Sequence, residues 1–125
     1  MGLTPNGLSP NGLTPNFGGL EAGEAGEGKG KGKGKTGKTP RFSVVSVPYD
    51  LTTTYVSGAS SGPGAIIEAS ANMELYDEEL KGEPWKAGIE TLAPLEVTEL
   101  RPEDMVDRVR AASAGIIESG SMPVL

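Results

Sequence analysis

Residues Gly32 to Thr39 carry the pattern most suggestive of chemistry, because a glycine, four residues and then Gly-Lys-Thr is the pattern of phosphate-binding loops. In that role backbone amides would cradle the phosphates, with Lys38 on the β- and γ-phosphates and Thr39 on magnesium. Such a loop must join a strand to a helix, but Pro40 and a β-branched run follow it. A tract of alternating glycine and lysine also produces the pattern by chance. We therefore interpret this basic run as a solvated linker and expect no nucleotide binding.

Carboxylates and serines are the other candidate groups. The adjacent acids Asp77–Glu79 could hold a hard cation loosely, but such runs are usually the solvated face of a helix, which we predict here. Ser57, Ser60 and Ser61 lie in a glycine-containing loop, and a serine nucleophile needs a base. The chain contains neither histidine nor cysteine, so the usual base, thiolate nucleophiles and the commonest metal ligands are missing. We predict no catalytic, cofactor-binding or metal-binding residue on this chain.

Composition divides the 125 residues into two parts. Residues 1–40 hold 12 of the 19 glycines, begin with the repeat Gly-Leu-Thr/Ser-Pro-Asn, and continue through Gly/Glu and Gly/Lys tracts. They have no apolar periodicity, so we predict a disordered low-complexity tail rich in glycine, proline and lysine. Residues 41–125 are predicted to be one folded part. Its 14 acidic and six basic side chains argue against nucleic-acid binding. No apolar run is long enough to span a bilayer and no signal-peptide pattern is present, so we expect no membrane association and a cytoplasmic location.

The elements that would position a site begin at Arg41. The run Phe42 to Val47 predicts a strand buried on both faces, ended by Pro48. A long polar loop follows, from Tyr49 to about Gly62, and long loops at the carboxyl ends of parallel strands tend to be functional. A short buried helix is predicted from Gly62-Pro63 to about Asn72. A second helix is predicted over 102–119, ending at Gly120, with a further strand from Met122. Its apolar stripe comprises Met105, Val109, Ala112 and Ile116, with Val106 and Ile117 beside them.

The stretch Val44 to Ser70 resembles the first strand, loop and helix of the ureohydrolase (arginase/agmatinase) family, and of agmatinases in particular. The shared pattern is Val-Val-x-Val-Pro-Tyr/Phe-Asp, then a Thr/Ser-rich stretch with an aromatic residue, a glycine, and Gly-Pro before Ala-Ile. It is carried here by Val44, Val45, Val47, Pro48, Tyr49, Asp50, residues 52–55, Gly58, Gly62, Pro63, Ala65 and Ile66. The resemblance extends over about residues 41–125. The chain departs from the family at Ser46, where glycine is usual, and at Val56, Ser60, Gly64 and Ile67, where arginines are common.

The resemblance implies a fold, an activity and partners. The fold would be the N-terminal part of a three-layer α/β/α domain with a mainly parallel sheet. The activity would be that of an agmatinase-like, two-manganese ureohydrolase that converts agmatine and water to putrescine and urea, in polyamine biosynthesis. A small guanidino compound would be the substrate, and homo-oligomers are usual for the full-length family. The family's metal-binding motifs would follow Leu125, so this chain alone is expected to be inactive.

The same resemblance assigns a position to the polar loop. It would form the mouth of the active site, through Asp50, Thr53, Tyr55, Gly58, Gly62 and Pro63. An alternative of another class stays open, in which the chain is a non-catalytic interaction or regulatory remnant of the family. Trp85 is predicted to be a packing residue, with a subunit contact as the alternative.

Overall fold

The computed structural model describes residues 16–20 and 39–125. Three strands, β1 (Phe42–Val44), β2 (Ile89–Thr91) and β3 (Met122–Val124), alternate with two helices, α1 (Gly62–Ser70) and α2 (Pro102–Glu118). The strands form one sheet in the order β2-β1-β3, and both pairings are parallel. The predicted α/β class with a parallel sheet is confirmed.

The two crossovers leave β1 and β2 in opposite directions along the sheet. The connection through α1 moves one position to β2, and the connection through α2 returns past β1 to β3. Because parallel crossovers are right-handed almost without exception, opposite directions place the two helices on opposite faces. This topology agrees with the three-layer order that the family resemblance implies.

The valine run accounts for the central position of β1. Ladder bonding continues beyond Val44, because Val45 N–H donates to the Val124 carbonyl (2.9 Å) and Leu95 N–H donates to the Ser46 carbonyl (2.9 Å). Pairing therefore reaches almost to Val47, where the sequence predicts the strand end. Pro48 follows and cannot donate to a ladder.

The central strand also carries a buried polar cluster that the valine run does not suggest. The hydroxyl of Ser43, only 1% exposed, donates to Glu90 Oε1 (2.6 Å) on β2 and lies 2.7 Å from the hydroxyl of Ser121, just before β3. A buried polar group is costly unless it has a partner, and here each group supplies one for another. The cluster joins all three strands through β1.

Helix α2 begins at Pro102 as predicted and ends at Glu118, one residue before the predicted end. Pro102 lies in its first turn with Glu103 and Asp104, where negative charge is favourable. At its end Gly120 adopts a left-handed conformation (φ 90°), with bonds from Gly120 N–H to the Ile117 carbonyl (2.9 Å) and from Ser121 N–H to the Ile116 carbonyl (3.2 Å). This pair of bonds is a Schellman motif, and it turns the chain into β3.

The apolar stripe of α2 is confirmed at its centre and wrong at its flank. Met105 and Ile116 are buried, and Val109 is half-buried. Val106 and Ile117 are mostly exposed. Each follows a buried residue by one position, about 100° around the helix, so the narrow three-stranded sheet does not cover it.

Two predictions between α1 and β2 need correction. Helix α1 was predicted to be buried, but only Ile67 and Ser70 are buried, and Ile66 is exposed. The acids Asp77, Glu78 and Glu79 do not lie on a helix. Asp77 pairs with Gly82 through two backbone hydrogen bonds, and its carboxylate accepts from Leu80 N–H (2.8 Å). A short acidic side chain that bonds nearby backbone competes with helix formation.

Part of the predicted tail packs on the folded part. Residues 16–20 contain a 3-10 turn, Phe17–Gly19, and Leu20 is buried. The rest of the tail up to residue 38, including most of Gly32–Thr39, lies outside the described residues. Beyond Thr39 the chain enters β1, where a phosphate-binding loop would need a helix.

Candidate active-site edge

The carboxyl ends of the three strands meet at one edge of the sheet, formed by Val44, Thr91 and Val124. Ligands bind outside this edge in parallel α/β sheets. Two loops leave it: residues 45–61 after β1, and residues 92–101 after β2. The hydroxyl of Tyr49 in the first loop donates to the Leu100 carbonyl in the second (3.0 Å). This bond fixes the two loops side by side.

Asp50 organises the first loop from within. Its carboxylate oxygen Oδ2 accepts from the Ser60 hydroxyl (3.0 Å) and from Gly58 N–H (3.2 Å), and its own carbonyl accepts from Thr53 N–H (3.0 Å). Gly58 has φ 120°, in the region that favours glycine. The Ser60 hydroxyl, followed by the Gly58 amide, holds the pKa of Asp50 below its ordinary value. Asp50 is therefore an ionised anchor that draws the loop back to the start of α1.

The six residues predicted for the mouth of the site share this loop but differ in exposure. Asp50 and Gly58 are in direct contact. Gly62 and Pro63 are half-buried in the first turn of α1. Thr53 is exposed and bonded only through its backbone, and the Tyr55 side chain is 96% exposed. Their role at a mouth stays a prediction.

Two residues of this edge were not singled out as positioning groups from the sequence. The sequence offers Ser60 as a candidate nucleophile and as a departure from the family's arginine, but its hydroxyl donates to Asp50. The sequence pattern includes Tyr49 but does not indicate its hydrogen bond, since the acceptor Leu100 lies 51 residues further along the chain. Asp50, Gly58 and Ser60 are residue types that are typical of turns held by side-chain hydrogen bonds. Their presence in one loop is the signal in the sequence that could indicate the contact between Ser60 and Asp50.

The second loop has its own anchors. The Glu96 carboxylate accepts from the backbone amide and hydroxyl of Thr98, and the Glu96 carbonyl accepts from Arg108 Nη1 (2.8 Å). The Thr98 hydroxyl, followed by its amide, lowers the pKa of Glu96. Arg101 pairs with Asp104 where α2 begins. The Arg108 and Arg101 contacts therefore hold the second loop to α2, and the Glu96 carboxylate bonds within the loop.

The donor set at this edge does not fit a centre of two metal ions. Among residues 16–20 and 39–125, no group of three or more His, Cys, Asp or Glu side chains is placed to hold one. The sequence supplies no histidine. No reaction step through manganese can therefore be assigned to these residues. In the same described ranges, no helix has the length and apolar character to cross a membrane.

Comparison with known proteins assigns residues 40–125, which include this edge, to a family. The family model described as "Arginase family" matches residues 40–125. An N(1)-aminopropylagmatine ureohydrolase from Synechocystis is 41% identical over 86 residues, which cover 65% of this chain and 28% of that protein. The proteins of the same name from two strains of Thermus thermophilus are 40% identical over 55 residues, which cover 44% of this chain and 19% of each.

The chain thus spans less than a third of the length of these curated relatives. No solved structure matches it at a significant level. The family match covers more than half of the chain, including the whole sheet, both helices and both loops of the carboxyl edge. The chain therefore belongs to the arginase family of ureohydrolases.

Proposed function

We propose that this chain is the N-terminal part of an agmatinase-like ureohydrolase, in which it forms one wall of the active site. The match of residues 40–125 to the family carries this proposal. The carboxyl edge of the sheet supports the proposal. The loop held by the Asp50 carboxylate lies at this edge, where parallel α/β enzymes bind ligands. The chain contributes shape and positioning, and the metal ligands come from elsewhere in the complete enzyme.

The substrate class in this proposal is a linear guanidino compound that also carries an amine. The resemblance to agmatinases implies agmatine as the substrate, and the relatives are named for aminopropylagmatine. The complete enzyme would release urea with two manganese ions present, leaving putrescine from agmatine. Cytoplasmic location and homo-oligomeric assembly belong to the same proposal.

By itself, the 125-residue chain is proposed to be inactive. The test is urea release by the purified chain from agmatine and from N(1)-aminopropylagmatine, with added Mn²⁺. The expected result is no urea above the protein-free control. Turnover proportional to chain concentration, abolished by a chelator, would contradict this proposal, since it would require a metal centre built from the acids of this chain.

A second candidate is a non-catalytic interaction module of the same family. The exposed apolar side chains of Met122 and Val124 in β3, and of Leu125 after it, support this alternative. Co-purification with an intact ureohydrolase would support this alternative. Its loss on Met122→Lys, with retention on Leu51→Lys, an exposed apolar residue of the first loop, would assign the contact to β3.

A further inference from the structure

The two loops of the carboxyl edge are each stabilised by hydrogen bonds to one of their own carboxylates. The acceptor is Asp50 in the first loop and Glu96 in the second loop. The Tyr49 hydroxyl connects the two loops directly, because it donates to the Leu100 carbonyl (3.0 Å) in a partly buried bond. A change in one loop can therefore reach the other loop through this side chain.

Tyr49 is held on both sides of its own backbone. Its N–H donates to the Val47 carbonyl (2.8 Å), just beyond β1, and the next residue is Asp50, the anchor of the first loop. The Tyr49 side chain is half-buried. The family pattern has either tyrosine or phenylalanine at this position, so it does not require the hydroxyl. The bond to Leu100 is thus a feature of this chain that the family resemblance does not supply.

The accepting carbonyl belongs to a turn with an unfavourable backbone conformation. Leu100 N–H donates to the Val97 carbonyl (3.4 Å), which closes a four-residue turn. The third residue of this turn, Glu99, has φ 54°, in the left-handed region where glycine or asparagine is usual. Other residues keep such a conformation where surrounding contacts hold it. The Tyr49 bond is one such contact, since it fixes the residue that follows Glu99.

Glu99 also differs from the other acids of the two loops in its bonding. The loops carry three carboxylates, Asp50, Glu96 and Glu99. The first two accept hydrogen bonds within their own loops. The Glu99 side chain is exposed, and among residues 16–20 and 39–125 no hydrogen bond or ion pair engages its carboxylate. A cationic ligand at this edge would therefore meet one carboxylate that is free to pair with it.

We propose that Tyr49 is a positioning residue for substrate binding. Its hydroxyl makes the two loops respond as one unit and holds Glu99 at the carboxyl edge, where Glu99 pairs with the cationic part of the substrate. The role in binding rests on the proposed ureohydrolase function, which supplies the cationic guanidino substrate. The coupling between the loops does not depend on that function and can be measured on the chain itself.

Amide hydrogen exchange on the full chain measures the coupling. Ser60→Ala removes a bond of the first loop and should accelerate exchange at Leu100, in the second loop, at least about twofold. In the Tyr49→Phe background the same substitution should leave Leu100 unchanged. Tyr76→Phe is the matched control, because Tyr76 lies outside both loops and is 53% exposed, and in its background the effect should persist. Exchange at Leu95, whose N–H extends the sheet ladder, should stay constant in every variant.

Substrate kinetics of the complete enzyme measure the positioning role. Tyr49→Phe and Glu99→Gln should each raise KM for agmatine about three- to tenfold, the size expected for one modest interaction. The value of kcat should stay within about twofold, because a binding contact is lost and no reacting group is touched. The double variant should raise KM no further than Glu99→Gln alone, since both changes act on the same contact. Tyr76→Phe should leave both constants unchanged.

The two measurements fail in different ways. An effect of Ser60→Ala on Leu100 that is equal with and without the Tyr49 hydroxyl would overturn the coupling. An active enzyme whose KM is unchanged by Glu99→Gln would overturn the binding role and leave the proposed function intact. A complete wild-type enzyme that releases no urea would instead refute the proposed function, while hydrogen exchange would still decide whether Tyr49 couples the loops.

Discussion

The two outer strands of the sheet manage their free edges in different ways. On β2 the outward donor of Thr91 is bonded by Asn16, a residue 75 positions away. On β3 the outward position is Pro123, which has no donor to satisfy. The β2 edge therefore depends on a distant segment, whereas the β3 edge is blunted by its own sequence but leaves apolar side chains exposed. The difference teaches that the outward groups of β2 are satisfied by a residue distant in sequence, whereas the outward position of β3 is settled by proline itself.

The largest expected effect is on the β3 side, where α2 holds the strand. Ile116→Ala should lower the free energy of unfolding by about 2–5 kcal/mol, because a side chain that is only 7% exposed would leave a cavity. Ile117→Ala is the matched control and should change it by less than about 0.5 kcal/mol, since Ile117 is 61% exposed. Denaturant unfolding of the three proteins makes the comparison. Equal costs for the two variants would mean that α2 packs through its other flank.

A second prediction concerns β1, the central strand that pairs with both outer strands. Ser43→Ala should cost about 1–3 kcal/mol of unfolding free energy, because it leaves Glu90 on β2 and Ser121 beside β3 without their common partner. Ser57→Ala, an exposed serine of the first loop, is the control and should be close to neutral. Thermal or urea unfolding measures both variants. A neutral Ser43→Ala would show that the two sides of the sheet are not joined through this cluster.

The smallest effect on stability is expected at Asp50, in the loop that follows the central strand β1. Its pKa is lowered, so the associated stabilisation is complete above the ordinary value of an aspartate, about 3.9, and is lost as pH falls through the lowered value. An NMR titration of the Asp50 carboxyl should give a pKa below that ordinary value, and Ser60→Ala should raise it. Asn16→Ala, which disturbs only the β2 border, should leave it unchanged. An equal change of the Asp50 pKa in both variants would mean that the loop responds to the contact between Asn16 and Thr91.

Elements with local signals could be predicted from the sequence, and elements with distant partners could not. The valine run, the Gly62-Pro63 start of α1, and the Pro102 and Gly120 limits of α2 all follow from residues within one turn or strand. The packing of residues 16–20 could not be predicted, because these five residues have no periodicity and their partners Ser70 and Thr91 lie more than 50 positions away. The short strand β2 was indistinct because its middle residue is Glu90, whose partner is a serine on another strand.

The candidate site shows the same division. The polar loop could be located from its composition and position after a strand, but its internal geometry depends on Asp50, Gly58 and Ser60 meeting across ten residues. Exposure was the least predictable property. Ile66 and Ile117 are apolar helix residues whose burial depends on layers that a three-stranded sheet does not supply.

The most direct test of the central claim is an exchange of parts with the Synechocystis relative. Residues 40–125 of this chain would replace the matching region of that ureohydrolase, and urea release from N(1)-aminopropylagmatine would be measured with Mn²⁺. The predicted result is a folded chimera that releases urea, and a lower rate when it also carries Asp50→Ala. A chimera that folds and assembles like the parent enzyme but releases no urea would contradict the claim that this chain forms one wall of a ureohydrolase active site.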